Sequence, residues 1–137
     1  MKHYVAIIEK EEGTLFGVHF PDCPGCVTAA ETADAAVTQA AEALRLWAEV
    51  GQEAGATPSG PRPLQQVLAD KEVAVSIARG GIPFLVPLLV DSGRPARANI
   101  SLDRNLLDAI DKAAKARGLT RSAFLASAAR DKILAEV

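Results

Sequence analysis

The chain reads as an α+β protein in two parts: a β-β-β-α-β domain over residues 1–93 and a strand-helix-helix unit over 94–137. Three observations predict this. Residues 3–20 hold two strand-like apolar runs around a glycine turn, the pattern of a hairpin. Residues 33–51 carry an apolar stripe with helical spacing. The charge divides unevenly: residues 1–93 hold 6 Lys/Arg against 12 Asp/Glu, and residues 94–137 hold 9 against 5. An acidic body with a basic tail segment suits two kinds of partner, a cation-rich protein and a polyanion.

"HYVAIIEK" (3–10) is apolar on both parities, with Tyr4, Ala6 and Ile8 on one face and Val5 and Ile7 on the other. That suits a strand covered on both sides. "TLFGVHF" (14–20) alternates, and Gly13 supplies the turn between the two. "PDCPGC" (21–26) interrupts the pattern, and "CVTAAE" (26–31) forms a short third strand. Thr32 then caps a helix with Asp34 in its first turn and Ala33, Val37, Ala40, Leu44 and Trp47 as its buried stripe. After the Gly/Pro loop 55–63, residues 64–81 form one or two short helices ending at Gly80–Gly81. "IPFLVPLLV" (82–90) is a buried strand, but Pro83 and Pro87 cannot donate to a ladder, which puts it at a sheet edge. One long helix is expected to cover the sheet, and "DSGRP" (91–95) is the hinge.

In "ARANISL" (96–102), Ala98, Ile100 and Leu102 share one face, and Arg97, Asn99 and Ser101 share the other. Asp103 caps a helix over 104–117 with the stripe Leu106, Leu107, Ile110, Ala113 and Ala114. Gly118 ends it, and Thr120 caps a second helix that buries Phe124, Leu125, Ala128, Ile133 and Leu134. Some 44 residues cannot enclose a sufficient core alone, and a lone strand has nothing in its own unit to pair with. Two copies, with paired strands and interlocked helices, solve both problems. The ordered set of strand, cap, helix, glycine and cap resembles a ribbon-helix-helix protein. That resemblance implies a homodimer whose strands enter the DNA major groove. Arg97, Asn99 and Ser101 would then face base edges, Arg matching guanine and Asn matching adenine. The start of the second helix, Thr120, Arg121 and Ser122, would face a phosphate.

The two cysteines raise the question of an enzyme. A redox dithiol needs its first Cys at a helix N-terminus, but here a strand separates Cys26 from the next helix. A zinc site could recruit His3, His19, Cys23 and Cys26, but structural zinc ordinarily shows two paired-ligand knuckles and only one is present. The tetrapeptide therefore reads as a turn shaped by Pro21, Pro24 and Gly25, with His3 and His19 as ordinary strand side chains. Glu9, Glu11 and Glu12 cluster at a hairpin turn as solvated charges, and no Ser-His-Asp or Cys-His set has workable spacing. No catalytic residue, metal or cofactor is expected.

Tyr4, the run Phe20–Cys26, the "EA" and "AL" pairs within Ala40–Leu44, the Pro-rich loop and the "VPLLV" strand together resemble HicB-type antitoxins across nearly the whole chain. Two departures stand out: Cys23, where the family more often carries Leu, and the absence of an acidic pair near the start of the long helix. The resemblance implies a first domain like a degenerate ribonuclease H fold without its nuclease site. It also implies a HicA-type toxin that cleaves messenger RNA as partner, inhibited by steric cover, and repression of the shared operon through operator DNA. Acidic candidates for toxin contact are Glu9, Glu11, Glu12, Asp22 and Glu31. The expected assembly is a dimer through the second domain, or a tetramer if first domains also join by an edge strand. No secretory signal and no membrane-spanning run are visible, so the cytoplasm is the expected compartment. Two other classes stay open on the sequence: a stand-alone DNA-binding regulator, and an enzyme using Cys23 and Cys26.

Overall fold

The computed structural model describes residues 1–10, 13–56, 60–91 and 93–135, which fall into two compact units, Met1–Val90 and Asp91–Val137. Parts of the expected loop 55–63 and of the hinge 91–95, and the last two residues of the second unit, lie outside the described residues.

The first unit is built on a four-stranded antiparallel sheet in the order β3-β2-β1-β4. Strand β1 (Lys2–Lys10) runs between β2 (Phe16–His19) and β4 (Ile82–Leu88), and β3 (Val27–Ala30) pairs with the far side of β2. The two parities of β1 enter different cores. Tyr4, Ala6 and Ile8 pack with Val18, Phe20, Leu44 and Val86 beneath the helix α1 (Ala33–Glu53). Val5 and Ile7 meet Val67 of α2 (Leu64–Leu68) and Val73 of α3 (Lys71–Ala78) on the opposite face. The sheet is thus covered on both sides, not by one long helix as the sequence suggests. The two short helices supply the second layer.

Both prolines of β4 pair in register with β1, Pro83 opposite Ile7 and Pro87 opposite His3. Residues without an N–H fit only positions whose backbone points away from the neighbour, so Pro83, Leu85 and Pro87 line the free edge. Gly81 just before the strand has no room for a side chain, because a Cβ there would stand 2.7 Å from the Ser76 carbonyl oxygen.

Helix α1 starts as expected. Thr32 Oγ1 accepts the Ala35 N–H at 3.1 Å, and Asp34 lies in the first turn. Its buried line differs from the expected stripe: Ala36, Ala40, Leu44 and Ala48 face the sheet, whereas Val37 is 45% exposed. Three alanines spaced along this line let the helix backbone approach the strands closely. Ranking by side-chain hydrophobicity favours Val37, but close packing selects the small residues instead.

In the second unit, α4 (Arg104–Ala116) and α5 (Arg121–Ala135) are capped where the sequence places the caps. Asp103 Oδ1 accepts from the N–H groups of Asn105 and Leu106 at 2.9 and 3.3 Å, and Thr120 Oγ1 from Ala123 at 3.1 Å. Between the helices, Gly118 takes φ +68°, and the Leu119 N–H bonds back to Ala114 at 2.8 Å, closing a Schellman turn. Burial corrects two expectations. Only Ile110 and Ala114 are buried, and α5 has no buried residue: Phe124, Leu125 and Leu134 are half-buried, while Ala128 and Ile133 are exposed. Residues 96–102 form no strand in the single chain. Within one chain, segment 96–102 has no strand to pair with, and some 44 residues enclose little core.

Candidate functional site

The run Phe20–Cys26 folds into two consecutive proline-led turns. The Cys23 N–H donates to the Phe20 carbonyl at 3.1 Å, and the Cys26 N–H to the Cys23 carbonyl at 3.0 Å. Pro24 and Gly25, with φ +82° at Gly25, occupy the central positions of the second turn, the arrangement of a type II turn. The Trp47 indole N–H donates to the Pro24 carbonyl at 3.0 Å and ties the turn to α1. Cys23 and Cys26 are free thiols buried in the core beneath α1. Burial pushes Cys23 up to about 12 and Cys26 up to about 11, with Cys26 and Asp22 adding to the shift at Cys23. These shifts run opposite to those of a reactive thiol. His3 and His19 share the parity of Val5 and Ile7, so the sheet separates them from the cysteines. At pH 8 the folded chain is expected to react with iodoacetamide two to three orders of magnitude more slowly than the unfolded chain, because roughly that factor of thiolate is missing. Equal rates, followed by mass spectrometry, would contradict the buried turn.

The acidic candidates have different surroundings. Glu11 and Glu12 lie outside the described residues. Glu31 is exposed after β3. Glu9 is half-buried at the end of β1, and its Oε1 is buried without a hydrogen-bond partner. Asp22 is engaged within the fold. It accepts from the Arg62 backbone N–H at 2.9 Å and from Arg62 Nε at 2.7 Å. The other end of the same guanidinium meets Asp70 at 3.1 and 2.7 Å. Arg62 thereby clamps the cysteine turn to the start of α3. Residues 40 positions apart leave no local signal of this pairing in the sequence. Among the described residues, no group of three or more His, Cys, Asp or Glu side chains is placed to hold a metal ion.

Hydrogen bonds from Arg62 hold the Asp70 carboxyl below the usual carboxylate range. A depressed folded-state value contributes stability that is complete above the unfolded value, about 4, and is lost as pH falls through the folded value beneath it. Arg62→Ala should therefore lower the melting temperature at pH 7, and the gap to the unaltered chain should narrow below about pH 4. A gap that stays constant across a thermal-melt pH series would remove the clamp from the account of stability.

In the second unit, Arg97, Asn99 and Ser101 are all exposed. The alternate residues Ile100 and Leu102 are exposed too, at 60% and 38%. Thr120 caps α5 and Ser122 is exposed. Arg121 makes two hydrogen bonds of 2.8 Å to Asp111, which hold the Asp111 carboxyl below its usual range.

A family model described as HicB_like antitoxin of bacterial toxin-antitoxin system matches residues 4–129. The chain belongs to that family. Solved structures agree with this HicB-like assignment. The crystal structure of the Burkholderia pseudomallei antitoxin HicB is 32% identical, covers 94% of this chain and 96% of its own, and superposes with a TM-score of 0.58. The antitoxin HicB3 crystal structure is also 32% identical, with coverage of 96% and 98% and a TM-score of 0.51. A chain of the HicA3 and HicB3 toxin-antitoxin complex is 27% identical over 65% of this chain and 98% of its own, with a TM-score of 0.51. No curated protein matches significantly. In this HicB-like chain no helix among the described residues is long and apolar enough to cross a membrane.

Proposed function

We propose that this HicB-like antitoxin neutralises a HicA-type toxin by covering it with the unit Met1–Val90, and represses its own operon by binding operator DNA through a dimer of the unit Asp91–Val137. Its action is steric and electrostatic, without catalysis. One observation carries the DNA half of this reading: an exposed segment with Arg97, Asn99 and Ser101 on one parity and uncovered Ala98, Ile100 and Leu102 on the other. A second copy that pairs this segment would bury the apolar parity against both helix pairs. The polar parity would then stand outward as a two-stranded ribbon, which the major groove admits. Phosphate contacts from the basic unit would position the ribbon, and Arg97 and Asn99 would specify the bases. The toxin half rests on the family and on the acidic first unit, whose field suits a basic RNA-binding partner.

The test is a binding titration of the full chain against the DNA upstream of its gene, over a salt series, with scrambled DNA as control. Sequence-selective binding that weakens steeply with salt supports the repressor reading. Equal binding to both DNAs would reject it. Loss of inhibition when the chain is mixed with the toxin encoded beside it would reject the antitoxin mechanism.

A further inference from the structure

Strand β3 closes one end of the sheet, and its outer backbone is open. Hydrogen-bonding parity alternates across an antiparallel sheet. With Pro83 and Pro87 facing out of β4, the bonded pairs are Ile7 with His19 and Glu9 with Gly17, then Phe16 with Ala30 and Val18 with Thr28. Val27 and Ala29 are left with N–H and C=O groups facing away from β2. Among the described residues no backbone hydrogen bond beyond the sheet reaches either of them. Val27 is 67% exposed.

Grooves lie on both faces beside this edge. Glu9, Leu15, His19 and Ala29 line one, and Ala43, Leu46, Trp47 and Val50 of α1 line the other, with Val27 common to both. A strand laid against β3 sends alternate side chains to opposite faces, so each groove receives one set. The other end of the sheet is closed to such an addition, because Leu85 alone keeps a donor between its two prolines. Charge selects the occupant. The unit Met1–Val90 carries 11 Asp/Glu against 6 Lys/Arg. A second copy would bring the same excess of negative charge, whereas a basic segment would complement it.

We propose that a basic strand of the toxin partner adds to the outer edge of β3, bonding to the outward backbone groups of Val27 and Ala29. This rests on the antitoxin reading above and says where on the chain the toxin docks.

The full chain is titrated with the HicA-type toxin encoded beside its gene, and amide hydrogen exchange is read at Val27 and Ala29 with and without toxin. Exchange at these amides should slow at least about tenfold on binding. Ala29→Pro removes an outward donor while leaving the ladder to β2, and should weaken toxin binding by about tenfold or more. Leu85→Pro at the opposite edge should leave it unchanged. Circular dichroism and thermal melts check that each variant folds. Tight binding with unchanged exchange at Val27 and Ala29 would overturn the proposal and leave the antitoxin reading intact. Slow exchange in the toxin-free chain that deepens with protein concentration would overturn it in favour of a second copy. No toxin binding by the unaltered chain would overturn the antitoxin reading, and this proposal with it.

Discussion

Arg97→Ala is expected to abolish sequence-selective operator binding while leaving toxin binding unchanged. The argument is one of chemistry and symmetry. An Arg that bonds bidentately to guanine contributes about 1–3 kcal/mol of discrimination, and a dimer presents the residue twice. Losing both contacts costs about 2–6 kcal/mol, a drop in affinity of about thirtyfold or more. Arg97 is exposed and no described hydrogen bond or ion pair depends on it, so the fold should be unaffected. Asn99→Ala should act in the same direction. By contrast, Arg121 is already bonded to Asp111, so Arg121→Ala should cost helix-pair stability as well as any phosphate contact. A gel-shift titration with operator and scrambled DNA, beside calorimetry with the toxin, separates these effects. If Arg97→Ala bound the operator as tightly as the unaltered chain, the ribbon would not be the reader. If both activities fell together, the two units would not be independent.

The second large effect lies in the core. Leu44→Ala should destabilise the first unit by about 2–5 kcal/mol, the range for opening a cavity at a fully buried leucine. Val37→Ala, on the same helix, should cost less than about 1 kcal/mol, because Val37 is 45% exposed and leaves no closed cavity. Trp47, the single tryptophan, sits on α1 and reports the unfolding of this unit by its fluorescence. Urea titrations of the two variants therefore discriminate between the helix face legible in the sequence and the face observed. Equal losses would restore the sequence-based stripe.

That contrast marks how far the sequence could be read. Strand positions, the edge placement of the proline strand, the caps at Thr32, Asp103 and Thr120 and the turn at Gly118 all follow from short-range chemistry, and the structure reproduces them. The contact line of α1 does not, because it depends on how closely a helix can approach a sheet. Nor does the second helical layer. Short helices such as α2 and α3 carry too few residues for their periodicity to say which face of the sheet they cover. Of the candidate site, the alternation of Arg97, Asn99 and Ser101 with Ala98, Ile100 and Leu102 is a local feature of the sequence, whereas in the single chain both sets are exposed. The occupation of Asp22 by Arg62 was not legible, since nothing short-range links residues 40 apart. The missing strand at 96–102 and the bare side of α5 are a different matter. Their pattern is in the sequence, and the single chain leaves it incomplete.

The prolines of β4 have a consequence for how large an assembly can grow. A sheet with two open ends can join copy to copy without limit. Here one end refuses every newcomer, so the sheet has a single vacancy. A second copy joined there edge to edge leaves a β4 strand at both ends of the sheet. Between copies of this chain, growth by this route stops at the first addition.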